Sequence, residues 1–176
     1  DPPPIPPPEP ASAHRIEHLD VQGLSCVYPD STNGVYDVDL QIPRGSFTVV
    51  TGRIGSGKTT LVRALVGVLP MQTGQILWNG EPVEDPRQFF LPPRCAYTPQ
   101  VPRLFSESLR DNILLGQPET EQMISAAVRM GALEDDIPTL ERGLDTIVGP
   151  RGVKLSGGQI QRAAAARMFA REAELY

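Results

Sequence analysis

Polar and apolar positions alternate through the first part of the chain. In residues 35–42 the side chains of Tyr36, Val38, Leu40 and Ile42 share one side, with Asp37, Asp39 and Gln41 between them. That period of two predicts a β-strand with one apolar face. Residues 16–28 alternate more loosely and predict another strand. After a turn at Pro43, Arg44, Gly45 and Ser46, the run Phe47, Thr48, Val49, Val50, Thr51 is apolar and β-branched, which predicts a buried strand. The period then changes. Apolar residues at 61, 65 and 68, and again at 62, 66 and 69, predict a helix over 60–69 that is apolar on most of its surface, stopped by Leu69-Pro70. Residues 75–83 read as a hairpin turning through Asn79-Gly80 in a type I′ turn. A short strand is predicted at 94–98, ending before Pro99-Gln100.

From residue 101 onward the pattern is helical. One short helix is predicted over 109–115, stopped by Gly116. A second opens at Pro118, carries Glu119 and Glu121 in its first turn as a helix dipole favours, and runs to Met130-Gly131. Residues 144–152 form a loop with two glycines and a proline. Leu155, Ser156, Gly157, Gly158 and Gln159 then lead into an alanine-rich helix over 160–171, a strong helix former with room for close packing.

The chemistry lies between the apolar run 47–51 and the first helix. Gly52, Arg53, Ile54, Gly55, Ser56, Gly57, Lys58 and Thr59 fit G-x-x-x-x-G-K-[ST], the phosphate-binding P-loop, with a strand predicted before it and a helix after. Glycines at 52, 55 and 57 let the backbone approach a ligand without a Cβ in the way. Loop N–H groups then converge on phosphate oxygens, helped by the dipole of the helix that follows. Lys58 is expected on the β- and γ-phosphates, and the Thr59 hydroxyl on Mg²⁺.

Composition narrows the partners. At 176 residues the chain suits one domain with a real core. A net charge of −5 and a pI near 5.0 oppose a general nucleic-acid binder, although Arg151 and Lys154 are local basic groups able to meet phosphate. Cys26 and Cys95 have neither metal-ligand spacing nor a disulfide-rich setting, and suit a reducing compartment. His14 and His18 lack partners at useful spacing and read as surface residues. No apolar run approaches the roughly 18 residues of a membrane span, and no signal-peptide pattern opens the chain. A role at a membrane therefore needs another segment to hold the domain there. The opening DPPPIPPPEP is proline-rich and suits an extended spacer, so residues 1–13 are read as a linker and 14–176 as the domain.

LSGGQ at 155–159, in order behind the P-loop and an isolated Gln100, gives the chain its resemblance. It is similar to the nucleotide-binding domain of ATP-binding cassette (ABC) transporters over residues 16–176. That resemblance implies an α/β P-loop core with an antiparallel β subdomain and an inserted helical subdomain at about 101–160. It implies ATP and Mg²⁺ as ligands. Tyr28 matches the aromatic residue that stacks on adenine; residues 52–59 with Thr60 match the phosphate loop. Gln100 matches the glutamine that touches Mg²⁺ and the attacking water. Ser156, Gly157, Gly158 and Gln159 match the signature that meets the γ-phosphate held by a second nucleotide-binding domain, in a homo- or heterodimer. The segments 104–113 and 144–152 resemble those of exporter-type members, with Pro150 standing where the family usually has glutamate. Exporters often fuse the domain to membrane helices upstream, which implies work at the cytoplasmic face of the cell membrane.

The family pattern continues into a Walker B strand with an aspartate and a catalytic glutamate, which lie beyond Tyr176. The chain alone is therefore expected to hydrolyse ATP poorly. Three other readings compete with an exporter: a soluble ABC ATPase without transport, a non-hydrolysing module that dimerises on nucleotide, and an importer's separate ATPase subunit.

Overall fold

The computed structural model describes residues 15–28 and 31–176. The proline-rich spacer, His14 and the turn at Pro29 lie outside the described residues. The chain divides into two compact units. One runs through Cys95 and includes Leu175; the other holds Ala96–Glu174 and Tyr176.

The first unit is a four-stranded antiparallel sheet in the order β2-β1-β3-β4, with β1 at His18–Val27, β2 at Gly34–Pro43, β3 at Thr73–Trp78 and β4 at Glu81–Pro82. Helix α1, Lys58–Leu65, and the short α2, Pro86–Phe89, complete it. Leu19, Val21, Leu24 and Cys26 of β1 are buried, with an irregularity between Val21 and Leu24 breaking the alternation, and they meet Ile76 and Trp78 of β3 and Leu61, Ala64 and Leu65 of α1. Each large aliphatic side chain so buried contributes about 1.5–3 kcal/mol. The hairpin is as the sequence predicts: Asn79 and Gly80 sit at φ 56° and 86°, the pair of positive values a type I′ turn requires.

Four expectations need correction here. Tyr36 does not share a face with Val38, Leu40 and Ile42. The register between β1 and β2 slips between Leu24↔Val38 and Cys26↔Val35, with Asp37 at φ 49°. The extra residue inverts the side-chain order, so Val35 is buried while Tyr36 is 58% exposed. Residues 47–51 form no strand. An apolar run becomes a strand when a neighbour takes its N–H and C=O groups, and none among the described residues does so here; Phe47 is 92% exposed. Helix α1 ends at Leu65, short of Leu69-Pro70, because Gly67 turns the chain at φ 71°. A Cβ at Gly67 would lie 2.3 Å from the Arg87 nitrogen, so the chain crosses α2 there with no room for a side chain. Of the strand predicted at 94–98, a single parallel bridge remains, Cys95↔Leu175.

α2 was not foreseen. Asp85 caps it by accepting from the Arg87 and Gln88 N–H groups at 3.0 and 3.3 Å, and Phe89 and Phe90 meet Trp78 edge-on.

The second unit is helical. α3 spans Leu109–Leu114, α4 Glu121–Met130 and α5 Gly157–Phe169, with 3₁₀ turns at Ile137–Thr139 and Gly143–Asp145. α4 starts later than predicted because the Thr120 hydroxyl accepts from the Met123 N–H at 3.1 Å and sets the N-cap there. The alanines of α5 behave as expected. Ala163 and Ala166 are fully buried in a cluster with Leu109, Ile113, Ala127 and Leu133, so α5 packs closely on both α3 and α4.

Candidate nucleotide-binding site

In the first unit the P-loop wraps from Gly52 to the start of α1. Gly57 is the N-cap of α1 at φ 87°, and a Cβ there would lie 2.6 Å from Val35 Cγ1 and 3.0 Å from the Gly34 carbonyl. Glycine is needed at this point for both backbone angle and space. The first helical bond runs from the Leu61 N–H to the Gly57 carbonyl at 2.8 Å, so the N–H groups of Lys58, Thr59 and Thr60 have no acceptor within the helix. No side chain caps this terminus and no acid lies in its first turn. The donors and the helix dipole therefore remain available to an anion.

Lys58 folds over the loop it follows. Its Nζ donates to the carbonyls of Gly52 and Arg53 at 2.9 and 2.8 Å and to Ser56 Oγ at 3.4 Å. None of these acceptors carries a charge, so the ammonium keeps its charge unopposed within the loop. Thr59 is exposed, while Thr60 is buried at 6% exposure. Arg53 and Ile54 project from the loop, Ile54 fully into solvent.

Tyr28 belongs to the same place. A cleft of about 340 Å³ is lined by Tyr28, Asn33, Gly34 and the residues from Gly55 to Thr60. The Tyr28 N–H donates to the Asn33 carbonyl at 3.1 Å, which fixes the tyrosine at the end of β1. An aromatic wall beside a cradle of N–H groups and a lysine suits a nucleotide. The residues present thus fit ATP. For Mg²⁺ the loop offers the exposed Thr59 hydroxyl. Among the described residues there is no His, Cys, Asp and Glu cluster able to hold a metal by itself, so the ion's remaining ligands here would be phosphate oxygens and water.

Gln100 and residues 156–159 lie in the second unit. Gln100 is exposed, just ahead of the segment that leads to α3. Ser156 is the N-cap of α5, and with Gln159 it forms a capping box: Ser156 Oγ accepts from the Gln159 N–H at 3.2 Å, and Gln159 Oε1 accepts from the Ser156 N–H at 2.9 Å. The Gln159 side chain is turned back onto its own helix rather than outward. Its amide Nε2 donates to Asp136 Oδ1 at 3.3 Å. Ser156, Gly157 and Gly158 are exposed.

Sequence reading missed two supporting groups. Asp136 receives Arg162 through Nε at 2.6 Å and Nη2 at 2.9 Å. The hydrogen bond from Arg162, more than any other contact, holds the Asp136 carboxyl below the usual carboxylate range. Farther along α5, Arg167 donates to the Asn112 carbonyl and Oδ1 at 2.7 and 3.0 Å and to the Arg103 carbonyl at 3.1 Å. Asn112, 1% exposed, in turn holds the Phe105 N–H and carbonyl. Neither group belongs to a short motif. The i, i+3 spacing of Gln159 and Arg162 was the one signal that both face the same neighbour.

The structure also joins the segments 104–113 and 144–152. Ser108 pairs with Ile147, the Leu109 N–H donates to the Thr146 carbonyl at 2.9 Å, and the Val148 N–H to the Glu107 carbonyl at 2.9 Å.

The family model for ABC transporters matches residues 35–176. The chain belongs to the ABC transporter family. A probable multidrug resistance ABC transporter ATP-binding/permease protein, YheI of Bacillus subtilis (strain 168), is 33% identical over 171 residues, covering 96% of this chain and 29% of that protein. A putative multidrug export ATP-binding/permease protein of Staphylococcus aureus (strain NCTC 8325 / PS 47) is 37% identical over 153 residues, covering 86% of this chain and 26% of its own length. Among solved structures, a bacterial Atm1-family ABC exporter with ATP bound superposes with a TM-score of 0.77 at 28% identity, over 90% of this chain and 28% of that one. The ABC chain thus spans under a third of the length of these relatives. Among its described residues no helix is long and apolar enough to cross a membrane.

Proposed function

We propose that this chain is the ATP-binding part of an ABC exporter, which binds Mg-ATP at the P-loop and, paired with a second such domain, couples hydrolysis to export. The observation that carries the reading is the uncapped α1 terminus with Lys58 folded over it and Tyr28 on the wall of the same cleft. Lys58 neutralises phosphate charge, the Thr59 hydroxyl holds Mg²⁺ together with phosphate oxygens, and Tyr28 stacks on the base. Bound Mg²⁺ supplies charge neutralisation on the phosphates. Ser156 and the N–H groups of Gly157 and Gly158 receive the γ-phosphate of the nucleotide held by the second domain.

The exporter assignment draws on the relatives, which are ATP-binding/permease proteins named for multidrug export. A groove of about 420 Å³ in the helical unit supports it. Pro102, Arg103, Leu104, Pro150, Val153 and Lys154 are among its walls, so the two exporter-like segments both contribute to one apolar surface with a basic rim. Pro150 lies in that wall, where a glutamate would add a charge. We place the contact with the membrane domain there. The exposed row Phe47, Val49 and Val50 supports a further assignment: the rest of the polypeptide supplies the strand that pairs with it.

The test uses the full-length protein in proteoliposomes. ATP-dependent movement of a lipophilic dye, with hydrolysis that Lys58→Ala strongly lowers, is the expected result. Hydrolysis by a protein that remains in the soluble fraction would instead support an ABC ATPase without transport. Tight nucleotide binding without turnover would support a dimerising module.

A further inference from the structure

A glutamine amide has both an oxygen and an NH₂ to satisfy, and only one orientation serves the cap. Gln159 must turn Oε1 toward the Ser156 N–H, and it does so because its Nε2 meets the Asp136 carboxylate. If the amide turned over, the cap would lose an acceptor and Nε2 would face the Ser156 N–H. Asp136 comes from the residues just before the 3₁₀ turn at Ile137–Thr139, so a distant segment determines the state of this terminus.

The second consequence is electrostatic. A carboxylate beside a helix N-terminus occupies the place where that helix favours negative charge, and it would repel a phosphate arriving there. Arg162 cancels it through two hydrogen bonds to the same carboxylate. The guanidinium also sits against the signature itself: its Nη1 would be 3.2 Å from a Cβ placed on Gly158. Asp135, the other acid near Arg162, contributes through charge alone.

We propose that Asp136 is a positioning residue for the signature turn. By holding the Gln159 amide and the Arg162 guanidinium together, it keeps the Ser156 hydroxyl and the Gly157 and Gly158 N–H groups set for the γ-phosphate of a nucleotide bound by a second domain. Ser156 Oγ accepts from the Gln159 N–H, so its own proton stays available to donate outward. Asp136 touches no reacting atom in this arrangement. The inference rests on the reading of 156–158 as the γ-phosphate contact.

The experiment is a cycle of Asp136→Asn, Arg162→Gln and the double variant in the full-length protein, read as kcat and as affinity for a fluorescent ATP analogue. Asp136→Asn is close in shape to the native residue, and its thermal midpoint is recorded alongside. Each single variant is expected to lower kcat by about 10- to 100-fold, as misplacement of a contact group does, with nucleotide affinity within about twofold of wild type. The double variant should lose little more than the worse single, because both remove the same hold. Wild-type kcat in both singles overturns the proposal. So does a loss in kcat that tracks an equal loss of nucleotide affinity and of thermal midpoint, since that is general loosening of the fold. Ser156→Ala separates this inference from the one beneath it. If Ser156→Ala leaves kcat intact, the γ-phosphate reading fails; if it lowers kcat while the cycle shows nothing, Asp136 alone is misassigned.

Discussion

Two helices in this chain begin on glycine-rich turns, yet their first turns are satisfied in opposite ways. α1 starts at Gly57 with no side-chain cap, no acid in its first turn and a lysine whose charge meets neutral oxygens. α5 starts at Ser156 with a complete capping box, itself braced by Asp136 and Arg162. The N–H groups at the start of α1 are left to solvent or a ligand, whereas at α5 the Ser156 and Gln159 N–H groups are satisfied within the chain. The difference fits the roles proposed above, in which α1 holds a phosphate chain and α5 presents its turn to a phosphate held by a second domain. A signature that needed ligand to fold could not help select when two domains come together.

The largest way to break this contrast is to remove the charge at α1. Lys58→Ala is expected to lower ATP turnover by about 10²–10³-fold, measured as phosphate release by the full-length protein. Next in size is Gly57→Ala. Its Cβ would press on Val35 and the Gly34 carbonyl while the backbone stays at positive φ, so a loss of about 1–3 kcal/mol is expected in denaturant unfolding. Ser156→Ala removes a cap rather than a ligand donor to its own site. About 1 kcal/mol of stability should go with it, while affinity for nucleotide at α1 is unchanged.

Acid provides a gentler probe of the brace. The folded Asp136 carboxyl titrates below its unfolded value, so its contribution is fully present above about pH 4 and is lost as pH falls through the lowered folded value. Asp136→Asn should therefore be less stable than wild type at neutral pH and should lose less on acidification below about pH 4. The smallest effect concerns the thiols. Burial raises the Cys26 thiol and pushes Cys95 up to about 11, so neither should label with a maleimide at neutral pH until the protein is unfolded.

Much of the fold could be read before the structure, and the failures share a cause. The hairpin at Asn79-Gly80, the short helix at 109–114 and the alanine-rich α5 depend on local residues, and each forms where predicted, although α5 starts three residues earlier, at Gly157, and ends two earlier, at Phe169. Tyr36 and residues 47–51 depended on partners. A bulge in β2 decides which face Tyr36 takes, and pairing decides whether an apolar run becomes a strand. The candidate site divides in the same way. Tyr28 lines one cleft with the P-loop residues Gly55 to Thr60. The inward turn of Gln159 could not be read, because it is determined by Asp136 from another segment. Short motifs name the groups that meet ligand and say nothing of what holds them.

The central claim is that α1 of one domain and α5 of another complete one site. Mixing two inactive full-length variants, Lys58→Ala and Ser156→Ala, tests it most directly. If the claim holds, a mixed dimer contains one site with both partners intact, and ATP-driven association and hydrolysis return on mixing. A mixture as inactive as either variant alone would mean that each domain uses its own signature, and the account would be wrong.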